Sequence, residues 1–527
     1  MRYVLGFLLC CFAGPALADP AGVRLEPTAE GVRVDYRLAA PTSRFVFDPP
    51  LSPEARVTAI REGMTVASDA VTADQPLAEF SLVFRPDRIR VDATYPVISR
   101  LGEGWMIHVP SLLGEAGVAM PGVEIAPGPG WVLITGPGVQ PTDGFVYIGP
   151  GPADGAAGPR ILVDSTVPGW LAEDARAALE TSDAFFAKGL GIPAPGRPVL
   201  LIGALPAEDR STYVGDVTPN GVINLQFAIR MVPSERDIGF TDMVSPFVAH
   251  ETFHVWQGDR YREVDGVNGR WLTEGAAEYF SLLALAVQSP EAAARSRQTL
   301  ARHLGTCLSA MDERPQGLLR LQGQDAELTR YDCGTVSQWL TDLRFKSEGG
   351  LFAVWRRLLT LPDGFGVGDF RAVLADHHSD PDAGHAALLE GADDIRGAIL
   401  TALDRLGGEV SVADPDSAAW APAALWPLLE SHCSDQMGIQ MDNGRFLLDT
   451  GDRCGPLSGD LEAVSVAGHR LDASGEAGFR AVEAACAGKG DVSVGLMDGA
   501  SGFREVIVSC RHAAVAPPQA YEIARIP

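Results

Sequence analysis

The chain is short of positive charge. Its 42 lysines and arginines face 68 aspartates and glutamates, for a formal net charge of −26. That balance disfavours nucleic acid and anionic membrane as partners, because both would be repelled. Histidine is scarce, with ten in 527 residues. Of the eight cysteines, Cys10 and Cys11 fall near the start, and the other six lack the close spacing of a cysteine zinc site. Beyond the start of the chain no apolar run is long enough for a membrane helix, so no stable membrane insertion is expected. No internal repeat and no low-complexity tract is present.

What is there begins at the start of the chain. Met1-Arg2, an apolar run from Val4 to Ala13, and Ala16-Leu17-Ala18 before Asp19 read as a secretory signal peptide over residues 1–18. The apolar run is too short to span a bilayer. The mature protein is expected to be exported, either periplasmic or secreted. In an exported chain the even set Cys307, Cys333, Cys433, Cys454, Cys486 and Cys510 favours disulfides. The simplest pairing is sequential.

The chain is organised around His250-Glu251-Thr252-Phe253-His254, followed by Glu274 in Trp271-Leu272-Thr273-Glu274-Gly275. On a helix, residues four apart point from one face, so the two imidazoles converge. Two neutral imidazoles and a carboxylate form the three-ligand shell of a catalytic zinc, one ion per chain, with His250, His254 and Glu274 as ligands. Glu251 stands beside the position left for water, where a general base belongs. Glu278, one helical turn after Glu274, is placed to accept a hydrogen bond from a ligand histidine. The bland alternative is an amphipathic helix with two surface histidines. The apolar flanks Phe247, Val248 and Val255 argue against it. Ser245-Pro246 reads as the start of this helix and Gly258 as its stop. The other eight histidines lack ligand spacing.

The pattern around the motif gives an α+β, multidomain chain. Residues 19–158 read as β-rich, with alternation in Val32–Leu38 and short apolar runs at Trp131–Ile134 and Phe145–Ile148. A Gly/Pro/Ala stretch from Gly149 to Gly158 marks a boundary. Residues 159–408 read as strands and helices first, then helices alone: near 271–287, 290–304, 334–347, 350–360 and 394–406. The strand Gly221–Phe227 lies just upstream of the motif, and its Val222, Ile223, Asn224 and Leu225 are candidates for a backbone clamp on an extended peptide. Residues 409–430 read as a linker of loop and short helix rich in Ala, Pro and Trp, and residues 431–527 as a small β domain with a helix near 475–486. A chain ending near residue 430 is expected to keep the metal site.

These residues resemble a known group. His250-Glu251-x-x-His254 with Glu274 in Trp-Leu-x-Glu-Gly is similar to the gluzincin zinc metallopeptidases. Tyr331-Asp332-Cys333-Gly334, with the helix after it, is similar to the Tyr-x-Lys-Gly segment of the membrane-alanyl and glycyl aminopeptidase families. The resemblance implies that Tyr331 donates to the oxyanion. Gly459-Asp460-Leu461-Glu462-Ala463-Val464, ending at Gly468, resembles a PDZ stretch. The whole layout resembles the glycyl aminopeptidase family: an N-terminal β domain, a thermolysin-like catalytic domain and a C-terminal PDZ-like domain. It implies a peptide or protein substrate. There are departures. Cys333 stands where those families carry lysine, and Asn220–Phe227 has no glutamate to hold a substrate's free amine. A different class of function therefore stays open: a non-catalytic, exported peptide-binding scaffold with a degenerate zinc site. Oligomeric state is not legible.

Overall fold

The computed structural model describes residues 22–48, 50–51, 55–86, 96–115, 122–137, 143–150, 160–205, 213–228, 232–262, 269–323, 326, 329–376, 383–434, 437–442, 445–451, 453–498, 502–511 and 517–526. The signal peptide lies outside them, as does most of the Gly149–Gly158 boundary. The chain divides into two compact units, residues 1–134 with 145–152, and residues 135–144 with 153–527. The molecule mixes sheets and helices, as the pattern predicts.

The first unit is built of strands β1 (Gly22–Pro27), β2 (Val32–Phe47), β3 (Arg56–Ala59), β4 (Met64–Val66), β5 (Ala70–Arg85), β6 (Ile98–Leu101), β7 (Gly104–His108), β8 (Gly114–Glu115), β9 (Val123–Ile125), β10 (Val132–Ile134) and β11 (Phe145–Gly149). One sheet runs β3-β5-β2-β1-β9, with β4 on β5 and β8 on β2; the other runs β10-β11-β7-β6. The alternation in β2 buries Val32, Val34, Tyr36 and Leu38 and leaves Arg33 and Arg37 exposed. The buried side joins Trp105, Ile107, Val146 and Ile148 of the second sheet in one core.

The second unit opens with β12 (Arg160–Val163), β13 (Val199–Leu205), β14 (Tyr213–Val217) and β15 (Val222–Ala228), in the order β12-β13-β15-β14. The first three strands in that order are parallel and β14 is antiparallel. Helix α1 (Gly169–Leu190) makes the crossover that parallel pairing of β12 and β13 requires. One face of the sheet is covered by α1 and by α2 (Ile238–Gln257): Leu171, Leu179, Val244 and Val248 pack on Ile223, Leu225 and Phe227. Then come α3 (Arg270–Ala286), α4 (Pro290–Glu313), α5 (Asp332–Arg344), α6 (Gly350–Leu359), α7 (Val367–Ala375), α8 (Ala383–Glu390) and α9 (Ile395–Leu406), which share one apolar cluster.

Helix α2 does not start at Ser245-Pro246. Asp237 caps it, accepting from the Phe240 N–H at 2.8 Å, and Pro246 lies inside the helix. Proline there leaves one carbonyl without an intrahelical donor. The burial of Phe240 and Val244 holds the extra turns in place.

The short helix expected in the linker runs for 16 residues. β16 (Val410–Ala413) is followed by α10 (Ser417–His432), whose Ala421, Ala424, Leu425 and Leu428 sit in the core of the C-terminal sheet. Pro422 and Pro427 lie inside this helix, where proline is unfavourable, and packing of the apolar face outweighs them. That sheet runs β17 (Met437–Asp442), β18 (Arg445–Thr450), β19 (Gly459–Val466), β21 (Asp491–Asp498), β22 (Gly502–Ser509), with β20 (His469–Arg470) beside β19. Helix α11 (Leu471–Gly488) packs with α10, through Phe479 and Val482. The cysteines pair sequentially, Cys307–Cys333, Cys433–Cys454 and Cys486–Cys510. No described helix is long and apolar enough to cross a membrane.

The last strand, β23 (Ala520–Ile523), returns to the helical part and pairs antiparallel with β16. Tyr521 and Ile523 are 7% and 6% exposed and lie in the same cluster as Cys307 and Leu308 of α4. Arg396 donates to Asp312 and to the Tyr521 hydroxyl, tying α9, α4 and β23 together. The tail is thus packed into the same core as helices α2 and α3. Burying two large side chains is worth about 3–6 kcal/mol. Deleting residues 517–527 is therefore expected to lower the midpoint of denaturant unfolding sharply. An unchanged midpoint in the shortened chain would show that β23 is dispensable.

Candidate metal centre

Helix α2 presents His250, Glu251 and His254, and α3 crosses it carrying Glu274 and Glu278. Three ligand atoms converge. His250 Nε2 and His254 Nε2 are 3.0 Å apart, and the Glu274 Oε2 is 3.3 Å from the first and 3.2 Å from the second. Atoms held about 2.0–2.1 Å from a tetrahedral zinc lie about 3.3 Å from one another. The near-equilateral triangle therefore fits a zinc shell with one open position. Among the described residues this is the only cluster of its kind.

Electrostatics favour a cation at the same point. Burial alone pushes the His250 imidazole down, but hydrogen bonds to Glu274 and Glu278 and the charge of Glu251 outweigh it and lift it to about 10. Burial pushes Glu274 up, yet the charge of His254 and hydrogen bonds from both histidines hold it far below the usual carboxylate range. The carboxylates demand positive charge between the two rings, and a divalent ion supplies it.

The outer nitrogen of each ring has an acceptor. His250 Nδ1 lies 3.0 Å from Glu278 Oε2, so the position read from sequence as a hydrogen-bond acceptor is occupied by one. His254 Nδ1 lies 2.7 Å from the Gln257 Oε1, and the Gln257 amide donates to the Thr273 carbonyl at 3.0 Å. A proton on each Nδ1 leaves each Nε2 lone pair facing the centre. Gln257 was legible in principle, one turn after His254 on the same helix. His303 was not: it comes from α4, and its Nε2 and Nδ1 lie 3.0 Å from Glu278 and 2.7 Å from Asp332.

Glu251 is 6% exposed. Burial raises its carboxyl, against the charges of His250 and His254, and the Val217 backbone is hydrogen-bonded to it. A carboxylate raised in this way is suited to take and return a proton. Tyr331 lies at the start of α5, with its ring centroid 5.9 Å from that of His250. Burial, and then the charge of Glu274, hold its hydroxyl above the ordinary range, so it stays protonated as a donor.

The strand expected to offer its backbone to a peptide has no free edge. β15 is paired on both sides, to β13 and β14, so the main chain of Val222, Ile223, Asn224 and Leu225 is already taken up. The outer side of β14 pairs with nothing among the described residues. The Thr218 N–H donates to Val222 in β15, so that of Val217 points outward, to Glu251. The sheet's open edge thus runs beside Glu251. The Gly215 Cα is close against the Phe247 ring of α2; a Cβ there would come within 2.3 Å of it.

No protein-family model and no curated protein matches the sequence. Among solved structures, the chain matches an aminopeptidase N family protein from Idiomarina loihiensis over 96% of this chain and 98% of that one, with a TM-score of 0.57 and 12% identity. A variant of an M1 zinc metallopeptidase from Deinococcus radiodurans matches over 70% of this chain and 93% of that one, with a TM-score of 0.39 and 15% identity. Leukotriene A4 hydrolase from Saccharomyces cerevisiae matches over 77% and 71%, with a TM-score of 0.37 and 12% identity. The first likeness shows a fold shared along nearly the whole chain.

Proposed function

We propose that the protein is an exported zinc metallopeptidase, with His250, His254 and Glu274 holding one zinc per chain. The observation that carries this is the triangle of ligand atoms, 3.0–3.3 Å on a side, with Glu251 next to it. When bound, zinc lowers the pKa of a water and polarises the scissile carbonyl. Glu251 takes the proton from the attacking water and passes it to the leaving amine. Tyr331 donates its hydroxyl proton to the oxyanion in a hydrogen bond. The open edge of β14 adds the substrate as an antiparallel strand. Three disulfides support export to an oxidising compartment. The thermolysin-like assignment of the sheet and helices, and the PDZ-like assignment of the C-terminal sheet, belong to the same proposal. Tyr331→Phe is expected to lower kcat by about 100- to 1,000-fold and leave zinc content unchanged. Full activity in that variant would remove Tyr331 from the mechanism.

Cleavage inside a peptide fits the site better than removal of its first residue. An aminopeptidase must pair the buried ammonium of its substrate with a carboxylate. Glu274 holds the two ligand histidines and Glu278 is taken by His250 and His303. Asp216 of β14 faces Asn224 in register, on the sheet face opposite Ile223 and Leu225, where α2 packs. One peptide offered with a free and with an acetylated N-terminus separates the two modes. Both forms should be cut, with internal fragments seen by mass. Stepwise loss of single residues from the free form alone would make the enzyme an aminopeptidase. No turnover by wild type, with peptide binding kept, would favour the scaffold.

A further inference from the structure

We propose that His303 is a positioning residue that holds the His250 ligand and the Tyr331 donor in one fixed arrangement. The proposal rests on the zinc reading above. His303 comes from α4 and is 4% exposed. Its Nε2 lies 3.0 Å from Glu278 Oε1 and its Nδ1 2.7 Å from Asp332 Oδ1. Ionised carboxylates only accept, so both ring nitrogens donate and the ring is an imidazolium.

One arm of this contact leads to the metal. Glu278 uses its oxygens separately, Oε1 toward His303 and Oε2 toward His250 Nδ1. With its rotation fixed from both ends, Glu278 sets the plane of the His250 ring and keeps the proton on Nδ1. His303 also supplies a countercharge beside the carboxylates of Glu251, Glu274 and Glu278, which otherwise crowd one buried point.

The other arm leads to Tyr331. Asp332 follows it directly, in the first turn of α5. Cys333 comes next and is bonded to Cys307. His303 and Cys307 are four apart on α4, so one face of that helix grips two consecutive residues at the start of α5, one by an ion pair and one covalently. An ordinary buried histidine satisfies its nitrogens anywhere in a core. Here the two partners lead separately to a ligand and to the oxyanion donor, which is what a spacer between them requires.

The test uses the full chain and compares wild type with His303→Ala, His303→Gln and Asp332→Asn, each checked for folding by circular dichroism and thermal melting. Zinc affinity is read by chelator competition, ligand geometry by the visible spectrum of the cobalt form, and kcat and KM with a peptide. His303→Ala should weaken zinc binding about 10-fold or more, alter the cobalt spectrum and lower kcat with little change in KM. His303→Gln, whose amide still donates to Glu278, should recover most of the zinc affinity. Asp332→Asn should lower kcat but hold zinc as wild type does, because only the Tyr331 arm is disturbed. Folded His303→Ala with wild-type zinc affinity, spectrum and kcat overturns the proposal. So does a loss in His303→Ala that glutamine does not relieve. A wild-type chain that takes up neither zinc nor cobalt instead defeats the zinc reading beneath it.

Discussion

Glu251→Gln is expected to bind one zinc per chain and to lose about 100- to 10,000-fold in kcat. Glutamine keeps the size of the side chain and its place beside the ligands but cannot take a proton. The three ligand atoms come from His250, His254 and Glu274, so metal content should not change. KM should stay near the wild-type value, because the loss falls on a step after binding. The double variant His250→Ala with His254→Ala is the contrast, and should lose metal and activity together. Metal analysis and steady-state kinetics on the same preparations check both. Wild-type kcat in Glu251→Gln would mean that another group is the base.

A second large effect is expected far from any reacting atom. Helices α3 and α5 touch through glycine. A Cβ on Gly275 would lie 2.1 Å from the backbone of Gly334, and one on Gly334 would lie 2.3 Å from the Trp271 carbonyl oxygen. Neither neighbour is a flexible side-chain end, so the helices would have to separate. Gly275 follows the ligand Glu274, and Gly334 lies three residues after Tyr331. Gly334→Ala is therefore expected to cost about 1–3 kcal/mol of stability and to lower kcat by about 10-fold or more, since a displacement near 1 Å at a reacting group is costly. Thermal unfolding and kcat, measured together, test this. A variant with wild-type Tm and kcat would show that the crossing has slack.

Much of this was open to reading along the chain. The convergence of His250, His254 and Glu274 was legible because helical periodicity brings a spacing of four onto one face, and because the Glu274 helix follows closely. Glu278 was legible for the same reason. The even set of cysteines was legible, but which of the possible pairings forms was decided by the fold. The identity of the edge strand was not legible. β14 and β15 are both short, and which of them lies at the edge depends on β13 inserting beside β15. His303 was hidden because nothing near it in sequence marks it; its partners are on α3 and α5.

The sequence by itself determined the local pattern: two imidazoles and a carboxylate at helical spacing, a second carboxylate between them, an acidic composition and an even set of cysteines after residue 300. Those are properties of short spacings and of composition, which survive without knowing the fold. The tertiary structure alone decided which strand offers its edge, that β23 closes the helical core, and that His303 stands between Glu278 and Asp332. Each depends on segments far apart in the chain packing against one another. Backbone hydrogen bonds and buried charges find their partners only in that packed state, and no local pattern records the choice.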